Sequence, residues 1–528
     1  MTSFFDEAGE HRLALCLMKP NLPKICVPVC VRRASDLEQA IARAAEVADI
    51  VELRLDCLDD NEREEALTFL RLYSNRSGTP VIFTLRCPEQ GGHTTSDFEG
   101  RHRLWTSLIG LSSNAFIDLE LDMALGFAAS AGEPSIDWSR VICSHHDFRG
   151  VPSDLDQIYE RMAATPALIL KLVVQADDAT DCLPVFRLLD RAQREGREMI
   201  AIAMGQAGVM TRILGPSRGS FLTYGSFDDE STTAPGQVTA SELREVYRID
   251  AVDQQTEVFG VIGNPVGHSL SPQIHNAGFA TAGSNAIHIP IEVRDVGQFM
   301  RRMVHRGSRE LEWNLRGLSV TAPHKSVVMN SLNWIEPAAK EMGAVNTILM
   351  REDELHGYNT DAEAFVAPLR RKFGSVRGAR CAIIGAGGAA RAALWALRNE
   401  GAQVSLFVRN PEKARPVSEE FETDLYSIAG ASFAGFDIVV NATPLGTRGD
   451  REPDTVATTE QFRGVRLAYD LVYNPLETRF LREARAAGCE TLGGIEMLLA
   501  QAVAQFKIWM GKDPDLEVMR AAAICALE

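Results

Sequence analysis

The sequence predicts an α/β protein with a parallel (β/α)8 barrel in its first half and a dinucleotide-binding α/β fold in its second. Between Lys24 and about Tyr247, eight apolar runs of strand length alternate with amphipathic helical stretches. Further on, the glycine-rich turn Gly385–Gly388 joins a short apolar run to an alanine-rich helix. At 528 residues the chain is too long for one core, so several domains are expected.

The composition is that of an ordinary globular protein, with a net charge of −17. This charge argues against non-specific binding to nucleic acid or to anionic membranes, and no run approaches the length of a membrane span. The ten cysteines show no repeated CxxC or Cys/His metal spacing, which predicts free thiols and no metal site. Residues 1–23 form an extension without a signal- or transit-peptide pattern. We therefore expect a cytoplasmic protein. The sequence leaves open whether it is a monomer or a homodimer.

The barrel strands are separated by stretches of helical periodicity, for example Asp36–Val47 and Asp181–Glu195. Alternating strand and helical segments of this kind are typical of a parallel sheet closed by crossover helices. The strands are predicted at Ile25–Val31, Ile50–Leu55, Val81–Arg86, Ala115–Leu119, Val141–His145, Leu168–Val174, Met199–Met204 and Ser220–Tyr224.

Polar side chains lie within these strands or just after them. Any one of them could be a structural ion pair or a strand-end cap, but a barrel gathers the carboxyl ends of its strands around one mouth. The set therefore predicts a catalytic mouth. It consists of Glu52, Arg54, Arg86, Glu120, His146, Lys171 and Arg212.

Lys171 lies in the apolar run ALILKLVV. Burying an ammonium is costly, and burial favours the neutral amine. A neutral amine can attack a carbonyl and form a Schiff base. An ion-paired or snorkelling lysine is the alternative.

These residues carry a resemblance to type I 3-dehydroquinate dehydratases, over about residues 24–248. It implies a TIM barrel in which Lys171 forms an imine with the C3 ketone of 3-dehydroquinate. His146 would be the general acid/base that removes the C2 proton and assists loss of the C1 hydroxyl, with Glu120 orienting it. The motifs are VELRLD, FTLR, FIDLEL, SHHDF, LILKLVV, AMGQAGVMTR and APGQ.

The same resemblance assigns the substrate contacts of the barrel, with Arg212 holding the substrate carboxylate. His145 is the neighbour that competes with His146, and adjacent strand residues face opposite ways, so only one can face the mouth. The implied substrate-binding residues are Glu52, Arg54, Arg86, Arg212, Thr233 and Gln237.

A new strand, Val258–Ile262, follows the polar junction RIDAVDQQTE and opens the second half. Lys325 and Asp361 each follow a strand–turn, and such a pair can relay the proton of an alcohol during hydride transfer. Neutral side chains nearby in sequence suit a polyhydroxy acid, although helix caps and turns would also favour them. They are Ser269, Ser271, Thr321, Asn346 and Gln501.

The glycine-rich turn predicts a dinucleotide site. Gly385 permits the tight turn, Gly387 lets the backbone approach a pyrophosphate, and the free N–H groups of the helix start face the phosphates. The next strand, Gln403–Val408, ends at Arg409, where an NAD site would place an acid. With Lys413 close behind, these cations suit a 2′-phosphate, which predicts NADP. Two solvated surface cations are the alternative.

This half is similar to shikimate dehydrogenases over about residues 257–528, on the motifs GNPVGHSLSP, GLSVTAPHK, AVNTIL, GYNTD, NATPLG, DLVYNP and GGIEMLLAQ. The resemblance implies a substrate domain, 257–360 completed by 495–528, and a Rossmann domain, 361–494. Lys325 and Asp361 become the catalytic pair. Shikimate would be bound by Ser269, Ser271, Thr321, Asn346, Asp361, Tyr473 and Gln501, and NADP by Gly385, Ala386, Gly387, Gly388, Ala389, Arg409, Asn410, Lys413, Thr443 and Gly494.

Three positions depart from the second family's pattern. Ser319 and Val408 each stand where asparagine is usual, and Gly493 stands where aspartate is usual. The first loosens the inference about the substrate pocket and the second weakens the ribose contact. None removes a catalytic group.

The two halves explain one another, because the product of the first reaction is the substrate of the second. The sequence thus predicts a bifunctional enzyme that dehydrates 3-dehydroquinate and reduces the product to shikimate with NADPH. A catabolic quinate or shikimate dehydrogenase fusion is one alternative, which Arg409 disfavours. A catalytically inactive ligand-sensing regulator is another, and the presence of Lys171, His146, Lys325 and Asp361 argues against it.

Overall fold

The computed structural model describes residues 23–73, 78–109, 115–130, 136–228 and 233–528, so the predicted extension lies, except for its last residue, outside the described part. The chain divides into two compact units. The first comprises the residues up to Thr256 together with Ile289–Asn314. The second comprises Glu257–His288 and Leu315–Glu528.

The first unit contains a parallel eight-stranded sheet in the order β7-β6-β5-β4-β3-β2-β1-β8. A parallel bridge between Met199 and Ser220 brings the two ends of this order together, which confirms the predicted barrel. The predicted last strand, Ser220–Tyr224, is shorter in the structure. Ser220 forms only that isolated bridge, and the strand itself begins at Thr223. The strands are β1 (Ile25–Val29), β2 (Ile50–Arg54), β3 (Val81–Thr84), β4 (Ala115–Glu120), β5 (Val141–Asp147), β6 (Ile169–Gln175), β7 (Glu198–Met204) and β8 (Thr223–Tyr224).

Amphipathic helices follow the strands. In the helix Cys182–Glu195, Leu183, Phe186 and Leu189 form a buried face, and Gly196 ends the helix in the left-handed region at φ 67°. The helices up to residue 256 are α1 (Leu37–Ala45), α2 (Arg63–Tyr73), α3 (Phe98–Leu108), α4 (Leu121–Ala129), α5 (Leu155–Ala163), α6 (Cys182–Glu195), α7 (Val209–Leu214) and α8 (Ala240–Glu245).

The period of two along each strand decides what lies inside the barrel. Ile50, Ile142 and Ile169 belong to one buried apolar cluster, at the amino-terminal side of their strands. The residues two positions further along face the same side, because side chains alternate across a strand. These are Glu52, Ser144 and Lys171, all buried. A polar layer therefore lies on the apolar layer, toward the carboxyl ends of the strands.

A disulfide joins Cys30 and Cys57, so the expectation that all cysteines are free thiols is wrong. Cys30 follows β1 and Cys57 lies just after β2, and these strands are parallel neighbours. Pairing therefore brings the two Cα atoms to 5.4 Å although they are 27 residues apart in sequence. Cysteine spacing alone could not show this.

A six-stranded mixed sheet follows in the order β10-β9-β11-β13-β14-β12. Its strands are β9 (Glu257–Gly263), β10 (Ala286–Glu292), β11 (Leu315–Val320), β12 (Trp334–Ile335), β13 (Thr347–Arg351) and β14 (Glu354–Tyr358). The helices along this segment and into the next are α9 (Ser271–Thr281), α10 (Val296–Phe299), α11 (Pro337–Met342) and α12 (Asp361–Phe373).

The last sheet is parallel, in the order β17-β16-β15-β18-β19-β20. Numbered from its own first strand this order is 3-2-1-4-5-6, the dinucleotide-binding arrangement predicted for this segment. Its strands are β15 (Arg380–Ile384), β16 (Gln403–Val408), β17 (Asp424–Ser427), β18 (Ile438–Asn441), β19 (Leu467–Asp470) and β20 (Glu490–Leu492), and the remaining helices are α13 (Gly388–Asn399), α14 (Pro411–Glu420), α15 (Arg479–Ala486), α16 (Gly494–Met510) and α17 (Leu516–Cys525).

Both faces of this sheet are covered. Cys381 and Ile383 of β15 belong to one buried cluster, which includes Leu394 of α13. Ala382 and Ile384 point the other way into a second cluster. A strand buried on both faces reads as a continuous apolar run, which is why this one could be recognised in the sequence.

Among the described residues, no helix is both long enough and apolar enough to cross a membrane.

Candidate active sites

A cavity opens at the carboxyl ends of the barrel strands. Of the barrel residues predicted to form the site, all but Glu120 line it: Glu52, Arg54, Arg86, His146, Lys171, Arg212, Thr233 and Gln237. These side chains arrive at the mouth from six separate places in the chain.

Lys171 lies at the bottom of this cavity, with its side chain 4% exposed. Its Nζ donates to Glu52 Oε1 at 3.0 Å, Asp118 Oδ2 at 2.9 Å and Tyr224 Oη at 2.7 Å. An ion-paired lysine was the alternative to a neutral amine, and the structure places two carboxylates on Nζ because the strand register brings acids to the neighbouring inward positions.

Asp118 is a site residue that the sequence argument missed. It accepts hydrogen bonds from Lys171, Arg86 and Ser144. These donors, with Arg86 and Lys171 first, hold the pKa of the buried carboxyl at about 2. The signal was available, since Asp118 is an acid inside an apolar strand, two residues before Glu120 and on the same face.

His146 faces the cavity from β5. Its Nδ1 lies 2.8 Å from an Arg86 terminal nitrogen, and its backbone N–H donates to Gln90 Oε1 at 2.9 Å. Desolvation, then the charges of Arg86 and Lys171, hold the pKa of His146 well below its usual value. The ring is therefore neutral at neutral pH. Because a guanidinium only donates, Nδ1 accepts from Arg86 and Nε2 carries the ring hydrogen.

Glu120 does not contact His146, contrary to the expectation that it orients the ring. Its carboxylate accepts from the backbone N–H of Cys87 at 2.8 Å and pairs closely with Arg101 of α3. Glu120 is the last residue of β4, where the side chain is free to turn away from the mouth toward these donors. Among the described residues, Arg86 is the side chain that holds the imidazole.

The two other arginines of the mouth differ in their partners. Arg54 makes a two-pronged contact with Asp56, at 2.9 and 2.7 Å. Arg212 reaches the carbonyl oxygens of Tyr224 at 3.3 Å and Pro235 at 3.5 Å, and no carboxylate among the described residues pairs with it. Burial lowers the pKa of Arg212 to about 10. A buried guanidinium without an acidic partner is prepared to receive an anion.

Thr233 and Gln237, from the described segment that begins at residue 233, contact each other at the mouth. Gln237 Oε1 accepts from the backbone N–H of Thr233 at 2.7 Å and of Ala234 at 3.3 Å. Further lining residues that the sequence argument did not single out are Gln90, Phe148 and Tyr224.

In the second unit, Asp361 is the centre of a polar cluster. Its Oδ2 accepts from Lys325 Nζ at 2.6 Å, and its Oδ1 accepts from Asn346 Nδ2 at 2.7 Å and Gln501 Nε2 at 2.9 Å. Asp361 begins α12 and Gln501 lies in α16, so residues 140 positions apart meet here. The structure thus brings together four of the residues predicted from sequence.

The remaining predicted shikimate contacts lie on separate segments of the unit. Ser269 and Ser271 share a hydrogen bond between their hydroxyls at 3.1 Å. The Thr321 methyl group packs so closely on Gly263 that a Cβ there would lie 2.4 Å from it. Tyr473 is half-buried after β19, and burial raises the pKa of its phenol.

The glycine-rich turn has room for a pyrophosphate. Gly385 takes a φ of +111°, and a Cβ there would lie 3.0 Å from the carbonyl oxygen of Ala442. A Cβ on Gly387 or Gly388 would meet no atom within 4 Å. Gly387 precedes α13 without a side-chain cap on the helix, so the N–H groups of the first turn face open space. NADP phosphates fit this cradle, together with Ala386 and Ala389 beside it.

The strand-end cations also fit an anionic group. Arg409 and Lys413 are exposed, and no carboxylate among the described residues pairs with either. Asn410, however, uses its side chain to cap α14 by accepting from the Lys413 N–H at 3.2 Å. Thr443 donates to Asn441 at 2.7 Å, and at Gly494 a Cβ would lie 2.5 Å from the Leu471 carbonyl oxygen.

Models of known families match segments in both halves of the chain. A family model of type I 3-dehydroquinase matches residues 25–254. A model of the shikimate dehydrogenase substrate binding domain matches 261–348, and one of the shikimate 5'-dehydrogenase C-terminal domain matches 494–524.

Individual relatives cover the whole chain or its second half. A chloroplastic bifunctional 3-dehydroquinate dehydratase/shikimate dehydrogenase of Arabidopsis thaliana is 32% identical over 96% of this chain and 84% of its own length. An NADP(+) shikimate dehydrogenase of Oleidesulfovibrio alaskensis is 39% identical over 51% of this chain and 96% of its own. A crystal structure of the Thermus thermophilus shikimate 5-dehydrogenase with NADP(H) and shikimate is 35% identical, covers 51% of this chain and 99% of that one, and has a TM-score of 0.46.

The plant enzyme matches nearly the whole chain, with the dehydratase named before the dehydrogenase. The family models match the chain in the same order, dehydroquinase first and shikimate dehydrogenase second. The chain belongs to the family of bifunctional 3-dehydroquinate dehydratase/shikimate dehydrogenases, enzymes of the shikimate pathway.

Proposed function

We propose that the barrel cavity dehydrates 3-dehydroquinate through an imine on Lys171. The observation that carries this assignment is the buried amine at the bottom of the mouth, held between Glu52 and Asp118. Lys171 must lose a proton before its nitrogen attacks C3, and the two carboxylates are acceptors in direct contact. The iminium that follows is again a cation, and the same pair of carboxylates balances its charge.

His146 would then remove the C2 proton through Nδ1, after the bound substrate separates this nitrogen from the Arg86 donor. Its depressed pKa keeps the imidazole neutral at neutral pH, as a base requires, and the resulting imidazolium can return the proton to the departing C1 hydroxyl. Arg86 fixes the ring through Nδ1 while its other terminal nitrogen binds Asp118 at 2.9 Å. The Arg86 guanidinium thus links His146 to Asp118, the carboxylate that contacts Lys171.

Arg212 is the proposed binding partner of the substrate carboxylate. Its guanidinium is buried, faces the cavity and has no acidic partner among the described residues, whereas Arg54 is already paired with Asp56. A substrate carboxylate bound there would balance the positive charge of this buried guanidinium. Thr233 and Gln237, which line the same cavity, would also contact the bound substrate.

Borohydride reduction tests the imine. With 3-dehydroquinate present, reduction should add substrate-derived mass to the tryptic peptide that contains Lys171, and dehydratase activity should be lost in step. Omitting the substrate gives the control, in which the protein mass is unchanged. An adduct on another lysine would contradict the assignment.

We propose that the second unit reduces 3-dehydroshikimate at the cluster around Asp361. NADPH supplies the hydride when bound. Lys325 Nζ would donate the proton to the carbonyl oxygen that becomes the alcohol, and Asp361, in contact at 2.6 Å, would orient the ammonium and balance its charge. Asn346 and Gln501 hold the other oxygen of Asp361 and offer amide groups to the substrate hydroxyls, as Ser269, Ser271, Thr321 and Tyr473 would from their own segments.

Arg409 is the proposed partner of the NADP 2′-phosphate. Replacing Arg409 by alanine should raise the KM for NADP by about 10- to 100-fold, the effect of one lost charged hydrogen bond of ~1.5–3 kcal/mol. The KM for shikimate should stay close to the native value. Steady-state oxidation of shikimate with each substrate varied in turn measures both.

Lys413→Ala is the matched control, because it removes a second exposed cation four residues further along, inside α14 rather than at the strand end. We expect a smaller rise from it. An Arg409→Ala enzyme with native NADP kinetics would contradict the cofactor assignment.

We also propose the domain limits 24–248, 257–360 completed by 495–528, and 361–494. The ranges of the family models support the first two, and the parallel six-stranded sheet supports the third. The net charge of −17 supports small-molecule rather than nucleic-acid partners, and the proposed location is the cytoplasm.

A further inference from the structure

Tyr224 is in direct contact with the reactive lysine. It ends β8, and its Oη lies 2.7 Å from Lys171 Nζ and 3.2 Å from Glu52 Oε1. The side chain is buried, and Nζ also lies 4.3 Å from the centre of the phenol ring. Neither the sequence motifs nor the family models assign this residue a role.

The hydroxyl differs in kind from the other groups on the amine. Glu52 and Asp118 are ionised carboxylates, which accept hydrogen bonds and have no proton to give until one of them takes the proton of Lys171. A phenol both accepts and donates. Burial, followed by the charge of Glu52, raises the pKa of Tyr224 well above its usual value. The phenol therefore gives up its proton only while it receives another, which suits a relay and excludes a free tyrosinate base.

We propose that the Tyr224 hydroxyl relays a proton from the nitrogen to the oxygen when Lys171 adds to the substrate ketone. This inference deepens the proposed function and rests on Lys171 as the imine-forming residue. The Nζ lone pair forms the C–N bond at C3, and the π pair of the carbonyl moves to its oxygen. Oη then accepts a proton from the cationic nitrogen and gives its own to the alkoxide. The products are a neutral carbinolamine and an unchanged tyrosine, so no further reactant is needed.

The position of Tyr224 explains why a relay is useful there. Direct transfer between nitrogen and oxygen on the same carbon passes through a strained four-membered ring. A hydroxyl within hydrogen-bond distance of the nitrogen enlarges that ring. Before the substrate binds, the hydroxyl donates to Glu52 Oε1 at 3.2 Å, an oxygen that also accepts from Lys171 at 3.0 Å and from Thr84 at 2.9 Å.

Tyr224→Phe removes Oη and leaves the ring beside Nζ. With 3-dehydroquinate and borohydride quenching at timed intervals, adducts on Lys171 separate by mass into the substrate imine and the product imine, which differ by one water. The relay predicts that total adduct appears about 100-fold more slowly, the usual range for a lost acid–base group. Conversion of the first adduct into the second, which depends on His146, should keep its native rate.

Tyr159→Phe is the matched control. Its hydroxyl donates to Glu195 at 2.6 Å on the helices outside the same barrel, so the same atom is deleted away from the mouth. This variant should form both adducts at native rates. NADPH-dependent reduction of 3-dehydroshikimate should be native in both variants, which verifies that the chain is folded.

Three results would overturn the relay. Adduct formation at the native rate in Tyr224→Phe would show that the hydroxyl takes no part. Equal slowing of both steps would show that the pocket is merely disturbed. Absence of any adduct on Lys171 in the native protein would remove the proposed imine itself, and the relay with it.

Discussion

Replacing Lys171 by alanine should reduce the dehydration of 3-dehydroquinate to the background rate. The imine cannot form without Nζ, and the buried carboxylates of Glu52 and Asp118 lose the cation between them. Removing one partner of a buried ion pair typically costs about 3–5 kcal/mol, so we also expect a lower thermal midpoint for the barrel. Ultraviolet absorbance of the enone product measures the activity, and calorimetry measures the midpoint.

Lys171→Gln distinguishes chemistry from folding, because an amide keeps hydrogen-bond donors for the two carboxylates but cannot form an imine. It should be as inactive as the alanine variant and more stable. Oxidation of shikimate with NADP should remain native in both, since the residues proposed for it belong to the second unit. Retained dehydratase activity in either variant would contradict the imine mechanism.

Replacing Lys325 by alanine should lower kcat for shikimate oxidation by roughly 10²- to 10⁴-fold, as expected for the loss of a positioned acid–base group. The fold should tolerate the change, because the Lys325 side chain is 24% exposed and Asp361 keeps its contacts with Asn346 and Gln501. Dehydration of 3-dehydroquinate should be unaffected.

Lys325→Arg is the corresponding conservative variant. It keeps a cation beside Asp361 but offers a guanidinium, which does not release its proton near neutral pH. We expect NADP to bind to both variants with native affinity, measured by titrating its fluorescence or by calorimetry. A Lys325→Ala enzyme with native kcat would show that the proton comes from another group.

Much of the architecture could be predicted because each strand is a local pattern. The run Cys381–Ile384 could be identified from its apolar length and the glycines that follow it, and the strand Gln403–Val408 from its own apolar residues, without knowing their neighbours. The barrel mouth could be predicted in the same way, since carboxyl ends of parallel strands must converge. Lys171, His146 and Arg212 all line the cavity where this argument places them.

What could not be predicted depends on how side chains turn after the strands are placed. Glu120 and Asp118 share a face of β4, yet Arg101 and the Cys87 amide capture the first while Lys171 binds the second. A periodicity of two cannot choose between them. The Cys30–Cys57 bond likewise depends on the pairing of β1 with β2. Asn410 was predicted to contact NADP, but only the structure shows that its side chain caps α14.

The measurement that tests the two-site account most directly is a single cuvette of purified protein, 3-dehydroquinate and NADPH, followed at the NADPH absorbance. We expect NADPH to be consumed with no other enzyme present, after a lag that shortens as protein is added, because 3-dehydroshikimate must first accumulate. Lys171→Ala should abolish consumption, and added 3-dehydroshikimate should restore it. A native protein that consumes no NADPH with either substrate would contradict the account.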